Sequence, residues 1–80
     1  MNFQAFIMWL MDKHGMTERS AKDVYSRLKR IMKMTNIDEI DEVSLDYLKK
    51  NEEYNKLSQP LKSQLKRALV LYEEFKSLEK

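Results

Sequence analysis

The residues of this chain that could do chemistry are mainly cations, and they recur on one side of a predicted helix. From Arg19 to Lys33 the polar side of this helix collects basic and hydroxyl side chains at helical spacing. They are Arg19, Lys22, Ser26, Lys29, Arg30 and Lys33. The opposite side carries apolar residues at the spacing of a buried face: Ala21, Val24, Tyr25, Leu28, Ile31 and Met32. Such a helix could pack into a core and present a row of cations to a polyanion.

A second basic group stands at the start of the predicted last helix. It consists of Lys62, Ser63, Lys66 and Arg67. These residues lie off an apolar seam formed by Leu61, Leu65, Ala68, Leu69, Tyr72 and Phe75. The two groups together would place roughly six cations against DNA phosphates. Because no Arg, Asn or Gln set can be assigned to base edges, we expect weak and mostly non-specific binding to double-stranded DNA.

The residue types give little support for metal binding, a phosphate-binding loop or catalysis. The chain has no Cys, one His and one Gly, which excludes a thiolate zinc site, a multi-histidine site and a glycine-rich phosphate loop. His14 is expected at a helix end as a partner of the helix dipole. The acids from Asp38 to Glu42 lack the spacing of a calcium loop, which favours a solvated acidic turn. We therefore expect no metal, no cofactor and no catalysis by this chain alone.

Composition predicts the class of protein. Eighty residues suit a single domain over 1–80, and one Gly with one Pro argues for an all-α fold. No apolar run approaches the roughly 20 residues of a membrane span, and the apolar start has helical periodicity, so we expect a cytoplasmic protein. Net charge is +4 over 1–34, −4 over 35–57 and +2 over 58–80, which indicates distinct charged faces.

The cationic groups depend on two long predicted helices. A first helix over about 2–14 ends at Gly15, which suits a left-handed position. Thr17 caps the second helix, which runs to about Met34. Ser58 caps the last helix, which has Pro60 in its first turn and reaches about Leu78.

Residues 37–57 are harder to assign. Ile37 and Ile40 suit a loop or a single turn that plugs the core. A third helix over about 42–50 would bury Leu45 and Leu48, and a short turn capped by Asn51 would bury Tyr54 and Leu57. The expected fold is a small bundle of four main helices with a short extra turn before the last. Its expected core comprises Phe6, Ile7, Leu10, Val24, Leu28, Leu48, Leu65, Leu69, Tyr72 and Phe75.

Several of these residues also form a pattern that resembles a known family. Phe6, Trp9-Leu10, Gly15, the Thr17-x-x-Ser20 pair and Leu28 are similar to the N-terminal core-binding domain of tyrosine recombinases, or phage integrases. The chain departs from the usual pattern at Val24, where the family most often has Tyr. The resemblance implies a SAM-like helical bundle that clamps DNA during integration and recombination. The family's catalytic domain is absent from these eighty residues, so a missing catalytic domain would be a partner.

An alternative function is a stand-alone module that binds another protein. Its contact surface would be the Met and aromatic side chains around Met8, Trp9 and Met11, or the acidic segment 38–53. A large exposed apolar patch would favour this alternative.

Overall fold

The computed structural model describes residues 3–78, which form five α-helices and one 3-10 turn with no strand among them. The helices are α1 (Phe3–Lys13), α2 (Glu18–Thr35), α3 (Leu45–Lys49), α4 (Glu52–Asn55) and α5 (Gln59–Leu78). The 3-10 turn spans Ile40–Glu42, between α2 and α3. The expected all-α class and small bundle are confirmed.

The junction between α1 and α2 follows from Gly15 and Thr17. Gly15 adopts the left-handed conformation (φ 63°), and the N–H of Met16 reaches the carbonyl of Leu10. The Thr17 hydroxyl then accepts a hydrogen bond from the N–H of Ser20 at 3.1 Å. These local interactions turn the chain and start α2 at the expected place.

The end of α2 lies one residue beyond the expected Met34. Asn36 takes the left-handed conformation (φ 57°), and the N–H of Ile37 bonds to the carbonyl of Met32. Thr35 is buried, and its hydroxyl donates to the carbonyl of Ile31 at 2.8 Å. Because that bond satisfies the hydroxyl inside the helix, Thr35 can extend the apolar face of α2.

The segment between α2 and α5 was only partly predicted. The expected start of a helix near Glu42 is wrong, since Ser44 accepts the N–H of Tyr47 and α3 begins at Leu45. Ile40 plugs the core from the 3-10 turn, and Asn51 caps α4 as expected. Asp41 in that turn is not simply solvated: its carboxylate accepts a hydrogen bond from Tyr72.

The core lies where α1, α2 and α5 meet. All ten expected core residues are buried. In contrast, Leu45, Leu57 and Leu61 are only half-buried, because the short helices and the start of α5 lie at the edge of the bundle. Val43 and Leu71 are buried without having been expected.

Aromatic rings join α1 to α5 inside this core. The Phe6 ring centroid lies 5.5 Å from that of Tyr72 and 5.4 Å from that of Phe75. Trp9 packs on Phe75 at 5.5 Å. α2 packs against both α1 and α5, while α3 packs against α5. Within the described residues no helix has the length and apolarity needed to cross a membrane.

Candidate nucleic-acid interface

The outward face of α2 carries the first predicted group of cations. Its buried side faces the core through Ala21, Val24, Leu28 and Ile31. The six predicted residues lie on the opposite side, and all are exposed: Arg19, Lys22, Ser26, Lys29, Arg30 and Lys33. We call these six residues the α2 basic face. The amphipathic pattern thus places a row of cations in solvent along most of α2.

Not every cation of the α2 basic face is equally available. Lys22 Nζ lies 2.7 Å from Glu18 Oε1, one turn earlier on the same helix. The hydrogen bond and the positive charge of Lys22 lower the pKa of the Glu18 carboxyl. The Glu18 carboxylate therefore partly neutralises the charge of Lys22.

The side of the α2 basic face nearest α1 carries Lys29. Its Nζ lies 4.9 Å from the ring centroid of Tyr25, and the Tyr25 ring packs 4.3 Å from that of Phe3 in α1. Lys29 therefore leans toward α1. In the part of the chain that the structure describes, Arg19, Arg30 and Lys33 have no carboxylate within salt-bridge distance. These three cations are the ones most available to an external anion.

The opposite edge of the α2 basic face borders a groove between α2 and α5. One cavity of this groove, about 240 Å³, is lined by Met16, Ser20, Asp23, Val24, Arg27, Arg67 and Ala68. A neighbouring cavity, about 420 Å³, is lined by Asp23, Ser26, Arg27, Arg30, Leu61, Gln64 and Leu65. The structure therefore places predicted residues from both helices, Ser26 and Arg30 of α2 and Arg67 of α5, along one groove.

Arg27 lines both cavities, and sequence reasoning missed it. Its side chain is half-buried, because position 27 lies at the border between the polar and apolar sides of α2. The available signal was a long cationic side chain at the edge of an apolar face. That signal does not say which neighbouring helix lies beside it, and only the packing of α5 places Arg27 in the groove.

The four predicted residues of α5 do not form one surface. Lys62 is half-buried and its Nζ lies 6.0 Å from the ring centroid of Tyr54, toward α4. Arg67 faces the groove with α2. Ser63 and Lys66 border, with Arg67 and His14, a further cavity of about 320 Å³ on the α1 side of α5. Of this group, only Arg67 lines a described cavity together with residues of α2.

His14 stands at the end of α1, as expected, but it also makes tertiary contacts. Its Nε2 lies 3.6 Å from Glu74 Oε1, and its ring packs edge-on against Trp9 with the centroids 4.9 Å apart. Among residues 3–78 no group of three or more His, Cys, Asp or Glu side chains is arranged to hold a metal ion. His14 therefore has a structural partner on α5.

No family model, no curated protein and no solved structure matches this chain. A function for this chain is therefore argued from the charge, burial and spacing of its own residues.

Proposed function

We propose that this domain binds duplex DNA through contacts with phosphates. The observation that carries the proposal is the exposed α2 basic face, in which only Lys22 pairs with a carboxylate among the described residues. A solvated lysine-rich face is common on helices, but here arginines extend the cationic surface into the adjoining groove with α5. The proposed interface therefore includes Arg27 and Arg67 beside the α2 basic face.

The length of the α2 basic face suits a polyanion. The stretch from Arg19 to Lys33 extends about 21 Å at 1.5 Å per residue. Each strand of B-DNA carries one negative charge per roughly 3.4 Å of the duplex axis, so about six phosphates of one strand span this length. Several exposed cations of α2 could therefore contact one backbone stretch of the duplex.

The proposed binding supplies affinity more than sequence selectivity. Lysine and arginine contacts to phosphates fix position but do not read bases. The α2 basic face contains no Asn or Gln that could form a bidentate contact with adenine. The isolated domain should therefore bind weakly and with little dependence on sequence.

The resemblance to the core-binding domain of tyrosine recombinases supports the same function. In that family the domain holds DNA, and the catalytic chemistry resides in a separate domain. We extend the proposal accordingly: this domain would act as a DNA clamp, and strand cleavage would require a catalytic domain outside these eighty residues.

A titration of a fluorescein-labelled duplex, followed by anisotropy, tests this proposal. The logarithm of the affinity should fall linearly with the logarithm of salt concentration, by about 0.9 per phosphate contact. Two duplexes of unrelated sequence should give similar affinities. Absence of binding at about 50 mM salt, where phosphate contacts are strong, would overturn the proposal.

A second candidate function is a protein-interaction module, which two exposed methionines of α1 favour. Met8 is 59% exposed and Met11 is 38% exposed, and their spacing places them side by side on the helix. Trp9 contributes little to such a patch, because its ring packs on Phe6 and Phe75. Sedimentation would support this alternative if it showed a concentration-dependent dimer in a protein without DNA affinity.

A further inference from the structure

Two arginines from different helices line the same small cavity. Arg27 comes from the middle of α2 and Arg67 from the first half of α5, and the cavity between them is about 240 Å³. Its apolar lining includes Val24 and Ala68, which are both buried. The packing of α2 on α5 therefore fixes the backbone positions of Arg27 and Arg67 beside this cavity.

Neither guanidinium has a partner within the described residues. Arg27 and Arg67 make no hydrogen bond or ion pair with any side chain from residues 3–78. Asp23 lines the same cavity but lies outside salt-bridge distance of both. Two like charges beside one cavity repel each other, and an anion bound between them would offset that repulsion.

The neighbouring cavity continues this arrangement along the helices. It shares Asp23 and Arg27 with the first cavity and adds Ser26 and Arg30. The groove between α2 and α5 thus carries three arginines against one aspartate. Because a guanidinium can bind a phosphate through two parallel hydrogen bonds, arginines suit a chain of phosphates better than lysines do.

A hydroxyl group also faces the first cavity. Ser20 accepts a hydrogen bond from the Thr17 hydroxyl at 3.1 Å, which leaves the proton of Ser20 free to be donated elsewhere. A phosphate oxygen in the cavity could accept that proton. Ser20 would then add a neutral donor to the two arginines, as is common in phosphate contacts.

We infer that the groove between α2 and α5 binds the backbone of one DNA strand, with Arg27 and Arg67 on the same phosphate. Asp23 opposes the phosphates there and keeps the affinity low. This inference rests on the proposed function and assigns its phosphate site. It adds Asp23 and Ser20 to the residues that set DNA affinity.

The test is the salt dependence of duplex binding for Arg27→Ala, Arg67→Ala and the double variant, measured by anisotropy. Each single variant should weaken binding but flatten the slope of log affinity against log salt by well under about 0.9, the value for one phosphate, because the remaining arginine still contacts that phosphate. The double variant removes both contacts to the one phosphate and should flatten the slope by about 0.9.

Two conservative variants test the site without removing a long side chain. Arg27→Lys keeps the charge but loses the paired hydrogen bonds, so it should weaken binding while leaving the salt slope unchanged. Asp23→Asn removes the opposing charge and should tighten binding roughly two- to fivefold at low salt, as for an exposed charge pair. Melting curves should show that both variants fold as the wild type does.

The outcomes separate this inference from the proposed function. If the wild type does not bind DNA at all, the proposed function fails. If the wild type binds DNA and both Arg27→Ala and Arg67→Ala bind it as tightly as the wild type does, the groove is not the phosphate site. The proposed function then rests on the α2 basic face alone. Single variants that each flatten the slope by about 0.9, with a double variant that flattens it by about 1.8, would contradict a shared phosphate. Unchanged or weaker binding by Asp23→Asn would contradict the role of Asp23.

Discussion

The hydroxyl of Tyr72 in α5 donates a hydrogen bond to the carboxylate of Asp41 in the 3-10 turn. The other oxygen of that carboxylate lies 3.7 Å from Nζ of Lys76, one turn further along α5. The rest of the Tyr72 side chain is buried against Phe6 and Phe75. This contact holds the segment between α2 and α3 onto the bundle.

Removing the Tyr72 hydroxyl should therefore destabilise the fold. Tyr72→Phe keeps the buried ring but breaks a hydrogen bond to a charged group, so we expect a loss of about 1–3 kcal/mol in the free energy of unfolding. Urea denaturation followed by circular dichroism measures it. Tyr47→Phe is the matched control, since Tyr47 is half exposed and should change stability by less than about 0.5 kcal/mol. Equal stability of the two variants would show that the bond contributes nothing.

Leu28 tests the assignment of the buried face of α2. Its side chain is fully buried where α2 packs against its neighbours. Leu28→Ala should lower the free energy of unfolding by about 2–5 kcal/mol, through lost burial and the cavity left behind. Leu78→Ala makes the same chemical change at a position that is 63% exposed, so its effect should be small. Thermal melts of both variants provide the comparison. Similar melting temperatures for the two variants would refute the assigned core.

Gly15 should be required for its backbone conformation and not for space. An added Cβ would meet no atom within 4 Å, but φ is 63°, where an alanine costs about 1–2 kcal/mol. Gly15→Ala should lower stability by that amount, and Gly15→Asn should lower it less, because Asn tolerates this region better. Urea denaturation of both variants gives the ranking. A fully stable Gly15→Ala would indicate that the turn between α1 and α2 adopts another conformation.

The Glu18–Lys22 pair should make the start of α2 sensitive to acid. Because Lys22 lowers the pKa of Glu18, the folded protein holds the Glu18 carboxylate charged more strongly than the unfolded chain does. The stabilisation is therefore present above the ordinary carboxyl pKa and is lost as pH falls through the lowered value. An NMR titration of the Glu18 carboxyl should show this lowered midpoint, and Lys22→Ala should return it to the ordinary range. A midpoint that Lys22→Ala leaves unchanged would show that the pair does not form in solution.

Features of the fold that depend on neighbours in sequence were predictable. Thr17 and Asn51 cap helices because their side chains reach N–H groups three residues later, which is a local interaction. The buried face of α2 follows from helical spacing alone. Ser44 is also a capping residue whose side chain accepts an N–H three residues later. The prediction of a helix over 42–50 did not use this signal, so its predicted start was too early.

Features that depend on contacts between distant segments were not predictable. Tyr72 and Asp41 are 31 positions apart, and nothing in either segment alone indicates that they meet. The same is true of Arg27 and Arg67, which share a cavity only because α5 packs beside α2. Helical spacing correctly predicted that the α2 basic face is exposed to solvent. It could not show that Lys62 leans toward α4 while Arg67 turns toward α2.

The most direct test of DNA binding compares two triple variants that remove the same charge. The first variant replaces three of the six residues of the α2 basic face: Lys29→Ala, Arg30→Ala and Lys33→Ala. The control variant replaces three exposed lysines elsewhere: Lys49→Ala, Lys50→Ala and Lys56→Ala. All six substituted side chains are exposed and lie outside the core, so both proteins should remain folded.

Both proteins would be titrated with a labelled duplex over a range of salt concentrations, beside the wild type. If the α2 basic face binds phosphates, its triple variant should flatten the slope of log affinity against log salt by about 2.7, and the control triple should bind nearly as the wild type does. Equal loss in both triple variants would attribute binding to net charge alone. Wild-type affinity in the α2 triple variant, or no binding by the wild type, would contradict DNA recognition by this helix.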